Sequence, residues 1–250
     1  MSLKVTVLGS CGGYPRAGRA CSGFLLQNEG RSLLLDIGSG ALSNMFRLLP
    51  ADGLDGLVIS HMHYDHYVDA YGLYTARRFW GTHLPPLPVL VPDGGREILG
   101  SALRGDSRVE FFDHLHVTEA EEGISVDIAG FEVTPQQANH SIAAICVRVS
   151  AGGHTVCYTG DTDKTESVIE MARGADLFIC EATFTGEVPN KIGGHLYASE
   201  AGRLAAEAGA SALLLTHVWP TLDEGRAVED ARSEYQGTIQ AAVEGLTLDF

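Results

Sequence analysis

Apolar residues fall in short runs separated by turn residues, and several of the runs end on histidine or aspartate. Residues 3–8 form the first β-rich run. Residues 22–27 and 32–35 read as a hairpin about Asn28-Glu29-Gly30, closed by Asp36-Ile37-Gly38-Ser39-Gly40. Residues 41–49 carry helical spacing, and residues 56–59 form an apolar run of strand length. A helix is expected over 68–80, then an irregular Pro-rich stretch over 81–92. Residues 111–117 read as a strand that carries Asp113, His114 and His116. Residues 131–138 form the next strand, ending in Asn139-His140-Ser141. Residues 142–150 and 155–159 then make a hairpin about Ala151-Gly152-Gly153, and its second strand ends in Gly160-Asp161-Thr162. Val168, Ile169, Met171 and Ala172 give the helix 166–173 an apolar side, with Gly174 as its stop. Residues 176–180 form a buried strand ending in Glu181-Ala182-Thr183. Ser199 is the expected N-cap of a helix marked by Ala201, Leu204, Ala205 and Ala208 and stopped by Gly209. The last strong strand is 212–216, with His217 at its end. A helix over about 223–235 and an apolar stretch over 246–250 complete the chain.

His61, His140, Asp161 and His217 therefore each stand just past the end of an expected strand. Side chains from separated strands converge at such edges in layered α/β proteins. The densest chemistry is Ser60-His61-Met62-His63-Tyr64-Asp65-His66. In extended backbone His61 and His63 point to one face, so two imidazoles can meet one ion, while Asp65 and His66 turn toward a second. Imidazoles with a few carboxylates suit zinc, and manganese and iron accept the same ligands. His114 and His116 repeat the His-x-His spacing, but no further ligand follows them, so they are read as a solvated pair. The glycines of Gly9-Ser10-Cys11-Gly12-Gly13 lead into Tyr14-Pro15 and not into a helix, which excludes a dinucleotide-binding loop. Asp36 reads equally well as a group behind the metal ligands or as a turn aspartate. Arg77, Arg78, Phe79 and Trp80 could line a substrate mouth, although a packed helix end is the more ordinary reading.

Composition narrows the function. The formal net charge is −15 over 250 residues. Phosphate contacts come from Lys and Arg, so the chain is poorly equipped to hold a polyanion, though not a small anion at a cationic centre. The five cysteines show no Cys-x-x-Cys pairing and three lie in apolar runs, as expected of free thiols in a reducing cytosol. The N-terminus shows no signal pattern and no run is long enough to span a bilayer, so a cytoplasmic protein without membrane contact is expected.

The His-x-His-x-Asp-His stretch resembles the signature of the metallo-β-lactamase superfamily. The resemblance implies a single four-layer αββα sandwich, an α/β (α+β) fold, over residues 1–250. It also implies roles residue by residue. His61, His63 and His140 would hold one metal, Asp65, His66 and His217 the other, and Asp161 would bridge them. Glu181-Ala182-Thr183 followed by Gly194-His195 is similar to the paired motifs of the tRNase Z branch, as is the opening from Leu8-Gly9 to Gly13-Tyr14-Pro15. In that branch a histidine and its glutamate serve phosphodiester cleavage, which makes His195 the candidate general acid and Glu181 its partner. The tRNA-gripping arm of the branch is inserted between the positions of His140 and Asp161, where this chain has room only for a tight hairpin. The build is closer to the atypical class II cyclic-nucleotide phosphodiesterases.

The expectation is a metal-dependent hydrolase with two Zn²⁺ ions. It would cleave small or cyclic phosphodiesters through a hydroxide between the metals, with Asp65, His195 and Glu181 as its catalytic residues. No stable nucleic-acid binding is expected, and a homodimer is among the assemblies the sequence allows. A tRNase Z-type 3′ endoribonuclease is the alternative, followed by a thioester or lactone hydrolase. A nucleic-acid-binding module with a structural metal fits least, because structural zinc is closed by four protein ligands without a second open ion.

Overall fold

The computed structural model describes residues 2–80, 84–186 and 188–250. Two seven-stranded sheets divide the chain almost by halves. The first holds β1 (Lys4–Gly9), β2 (Gly23–Asn28), β3 (Arg31–Leu35), β4 (Gly56–Val58), β5 (Leu87–Val91) and β6 (Leu115–Glu119) in that order. The second holds β7 (Val126–Ile128), β8 (Phe131–Gln137), β9 (Ile145–Ala151), β10 (His154–Tyr158), β11 (Leu177–Glu181), β12 (Ala212–Thr216) and β13 (Thr238–Ala241). The terminal strand β14 (Thr247–Asp249) returns to the first sheet and pairs with β1. Each sheet is mixed: β3 to β6 run parallel, as do β10 to β13, while the other neighbours are antiparallel.

Among the described residues eight α-helices connect and cover the sheets: α1 (Ala41–Met45), α2 (Tyr64–Tyr67), α3 (Ala70–Arg78), α4 (Gly95–Ser101), α5 (Asp106–His114), α6 (Glu166–Ala172), α7 (Ala198–Ala208) and α8 (Glu224–Arg232). The strand alternation explains the layering. On β11, Leu177 and Ile179 face the first sheet, whereas Phe178 and Cys180 face α6 to α8. On β2, Phe24 and Leu26 face the second sheet, whereas Leu25 faces the cluster beneath α1 and α3. Both faces of these strands are covered, so they read as continuous apolar runs with little alternation. Two sheets packed face to face with helices outside give the expected αββα arrangement. All five cysteines are buried free thiols.

Three expectations need correction. The stretch read as irregular over 81–92 contains β5; its first three positions, 81–83, lie outside the described residues. Residues 111–114 end α5 instead of opening a strand, because Phe111 packs inward from the helix among Tyr71, Tyr74 and Phe112. Ser199 is not the N-cap of α7; Tyr197 is, and the Glu200 carboxylate accepts its backbone N–H at 2.8 Å. The Arg77–Trp80 cluster closes α3, in keeping with the more ordinary reading of a helix end. Arg77 is buried and donates to the carbonyls of Ala51 and Pro85, and Arg78 pairs with Glu110. Phe79 and Trp80 line a cavity of about 640 Å³ with Phe46 and Leu48, none of them a candidate site residue.

Candidate metal centre

Every candidate ligand lies beyond a strand's C-terminal end, in the loop that follows or, for Asp65 and His66, on α2. His61, His63, Asp65 and His66 follow β4, His140 follows β8, Asp161 follows β10 and His217 follows β12. The sheets are stitched together at this edge by the Ile145 N–H, which donates to the Ser60 carbonyl at 2.8 Å. A bridge between His61 and Ala144 lies beside it. The convergence is thus a property of the layer geometry and not of one loop.

The seven residues fall into two abutting groups, and Asp161, His195 and His217 form a third that overlaps them. In the first, His63 Nδ1 lies 3.1 Å from both His61 Nε2 and His140 Nε2. In the second, His217 Nε2 lies 3.1 Å from Asp65 Oδ2 and 3.2 Å from His66 Nε2. Asp161 stands between them: its Oδ2 is 3.6 Å from His61 Nε2, 3.5 Å from His66 Nε2 and 3.3 Å from His217 Nε2. Its Oδ1 is buried without a hydrogen-bond partner.

These contacts fit cations. His140 Nδ1 donates to the Gly194 carbonyl at 2.8 Å, so a neutral His140 presents a lone pair at Nε2. His66 Nδ1 is held 2.7 Å from Asp36 Oδ2 in the same manner, which leaves its Nε2 for the site. Lone pairs about 3 Å apart repel unless a proton or metal ion lies between them, and a buried orphan carboxylate oxygen adds to that deficit. The donor set of five imidazoles and two carboxylates suits zinc and similar divalent ions.

The electrostatics agree. Burial drives His61 well below the ordinary imidazole pKa, so its neutral form, with a lone pair to offer, is favoured. Burial alone would raise the Asp161 carboxyl, but His217, His66 and His61 outweigh it and hold it well below the usual range. Burial likewise disfavours a charged His66, yet Asp161, Asp65 and Asp36 surround it and push its pKa well up.

Asp36 lies behind His66 and also turns the chain, with φ 57°. It is fully buried and accepts from the Ser60 amide at 2.6 Å, the Ser60 hydroxyl at 2.7 Å and the Tyr158 hydroxyl at 2.6 Å, besides orienting His66. The glycine loop after β1 also reaches the site. The Gly13 N–H donates to Asp65 Oδ2 at 2.7 Å, and a Cβ on Gly12 would lie 2.5 Å from the His217 carbonyl.

Glu181 and His195 are brought together. Glu181, fully buried at the end of β11, accepts from the Thr162 amide at 2.8 Å, the Leu196 amide at 3.0 Å and the Thr183 hydroxyl at 2.5 Å. Its Oε1 lies 3.2 Å from His195 Nδ1. Burial opposes the His195 cation, but the Glu181 hydrogen bond and charge, with Asp161 behind, raise the pKa overall. His195 also stacks on His217, with ring centroids 5.6 Å apart, and its Nδ1 is 3.8 Å from Asp161 Oδ2. Ser60, Tyr158 and Thr183 escaped the sequence reading, Thr183 although its hydroxyl lies 2.9 Å from His217 Nδ1. Thr183 adjoins the Glu181 motif and could have been suspected, whereas Tyr158 carries no local signal. Neither His114 nor His116 belongs to a candidate metal group among the described residues.

Fold and site together define a metal-dependent hydrolase. The model of the β-lactamase superfamily domain matches residues 31–218, and the chain belongs to the metallo-β-lactamase superfamily. It is 35% identical to the probable metallo-hydrolase YhfI of Bacillus subtilis, over 97% of this chain and 98% of that protein. The crystal structure of YhfI superposes with a TM-score of 0.90, over 100% of this chain and 99% of the other, at 32% identity. The chain is also 30% identical to ribonuclease Z of Haloferax volcanii, over 100% of its own length and 95% of the relative's. A diphosphatase of the PhnP family shares the fold, with a TM-score of 0.77 at 18% identity, over 100% of this chain and 98% of the other. Among the described residues no helix is long and apolar enough to cross a membrane.

Proposed function

We propose that the protein is a dinuclear zinc phosphodiesterase acting on small or cyclic phosphodiesters. The observation that carries this reading is the pairing of Asp161, one carboxylate oxygen facing both ligand groups, with the buried Glu181–His195 dyad beside it. Two divalent ions held there would supply a nucleophile at neutral pH and neutralise charge on phosphoryl oxygens. Asp65, tied to the Gly13 amide and His217, keeps the second ligand group in place. Glu181 fixes the His195 ring through Nδ1 and favours its protonated form. His195 then delivers a proton to a leaving alkoxide. Thioester and lactone cleavage have less need of such a donor, which ranks them below.

The identity to a ribonuclease Z favours tRNA 3′ processing as the second reading. Three observations oppose it. Between His140 and Asp161 the chain makes only the β9–β10 hairpin, turning at Gly152-Gly153. That alignment extends over 302 positions against 250 residues here, so the relative carries segments this chain lacks. The charge of −15 also opposes a polyanion. Purified, metal-loaded protein is expected to bind intact tRNA weakly and to release no 3′ trailer from a pre-tRNA while it hydrolyses bis-p-nitrophenyl phosphate. Efficient, position-specific trailer release would promote the second reading over the first.

A further inference from the structure

His195 stands near the end of a surface loop that leads into α7. Of residues 188–195 only Gly194 is buried, so apolar packing does little to fix this stretch. Polar contacts must do it, and they centre on Lys191. Its Nζ lies 2.8 Å from Asp163 Oδ1 and 2.8 Å from Glu200 Oε2, and 5.6 Å from the centre of the Tyr197 ring. Both carboxylates also hold backbone around His195. Asp163 Oδ2 accepts the Gly194 N–H at 2.7 Å, and Glu200 accepts the Tyr197 N–H at 2.8 Å. The Asp163 N–H in turn donates to the Asn139 carbonyl at 2.9 Å, beside His140. Gly194 has φ 87°, and a Cβ there would lie 2.7 Å from His140 Nδ1. The peptide before His195 is thus pressed against the metal centre, in a conformation that favours glycine.

We propose that Lys191, acting through Asp163 and Glu200, is a positioning residue for the proton donor. The inference rests on the phosphodiesterase reading, which gives His195 that role, and deepens it. Isolated surface ion pairs contribute little. This lysine instead ties together two carboxylates from different elements, each bonded to an amide within two residues of His195. The backbone of His195 is then held on both sides: the Leu196 N–H donates to Glu181, and the Gly194 N–H donates to Asp163. Glu181 aims the ring, and Lys191 keeps Asp163 turned so that the ring starts from the right place. A proton donor displaced by about 1 Å can cost 100-fold in rate, so a remote contact of this kind reaches the chemistry.

The test compares Lys191→Met, Lys191→Arg, His195→Ala and the double variant Lys191→Met/His195→Ala with wild type, all at saturating zinc. Each is assayed on a cyclic nucleotide, whose leaving alkoxide is basic, and on bis-p-nitrophenyl phosphate. Lys191→Met should lower kcat for the cyclic nucleotide by roughly 10–100-fold with KM little changed, and should spare the activated diester. Lys191→Arg, which can still bridge two carboxylates, should recover most of the loss. In the His195→Ala background Lys191→Met should cost nothing more, because residues that act through one group are not additive. Equal losses on both substrates, or a further loss in the His195→Ala background, would overturn the assignment. Exchange of the Gly194 and Leu196 amides, followed by NMR, should be faster in Lys191→Met than in wild type. Unchanged exchange would also overturn it. If His195→Ala lost no more on the cyclic nucleotide than on the activated diester, the reading of His195 as acid would fail, and amide exchange would still decide whether Lys191 holds the loop.

Discussion

Replacing Asp161 by alanine is expected to strip most of the metal from both ligand groups and to abolish turnover. The carboxylate lies within 3.3–3.6 Å of His61, His66 and His217, members of both sets. Its loss leaves buried imidazole lone pairs facing one another without a negative charge between them. Asp36→Ala is the informative comparison, because Asp36 touches His66 only from behind, through Nδ1. Loss of a group that orients a ligand typically costs 10–100-fold in metal affinity or activity. Metal titration of both variants, with circular dichroism as a check on folding, should rank Asp161→Ala well below Asp36→Ala. Equal losses would mean that Asp161 does not serve two ions.

The second large effect is expected at His195. Its Nδ1 is engaged by Glu181 and lies 3.8 Å from Asp161, and on this account it holds no metal. His195→Ala should therefore keep its metal content. What it removes is a positioned proton donor, typically an effect of about 10²–10⁴-fold. The loss should fall on kcat for a substrate whose leaving alkoxide is strongly basic. It should be far smaller for bis-p-nitrophenyl phosphate, whose leaving group needs little protonation. Glu181→Gln should show the same ranking more mildly. Equal losses on both substrates with metals retained would make His195 a group that positions substrate. Loss of a metal would make it a ligand, which its place beside Asp161 and His217 renders a concrete rival outcome.

Four of the candidate ligands could be placed at one edge from the chain alone, because each follows an apolar run of strand length; the rest of the set came from the family resemblance. Strand-end placement is a local signal, so β4, β8, β10 and β12 announced His61, His140, Asp161 and His217 in turn. The layer order was not local: nothing in 177–181 alone says that Phe178 faces helices while Ile179 faces the other sheet. The errors have similar causes. Prolines 85, 86, 88 and 92 argued against a strand, yet Val89, Leu90 and Val91 between β4 and β6 outweighed them. Phe111 and Phe112 looked β-like, but burial of Phe111 beneath α5 set the local structure. Tyr197 is a poor capping residue by type; Glu200 three positions on was the usable signal. Tyr158 could not have been anticipated as a partner of Asp36, since the two are 122 residues apart and meet only because the sheets face each other.

The central claim is that two ions and this dyad cleave a phosphodiester. Its most direct test is turnover of an unactivated cyclic nucleotide by the metal-free protein as zinc is added in measured equivalents. The account predicts that the first equivalent restores little, the second restores full activity, and a thioester or lactone supplied in parallel is a poor substrate. Full activity at one equivalent, or rapid thioester or lactone cleavage without phosphodiester turnover, would contradict it.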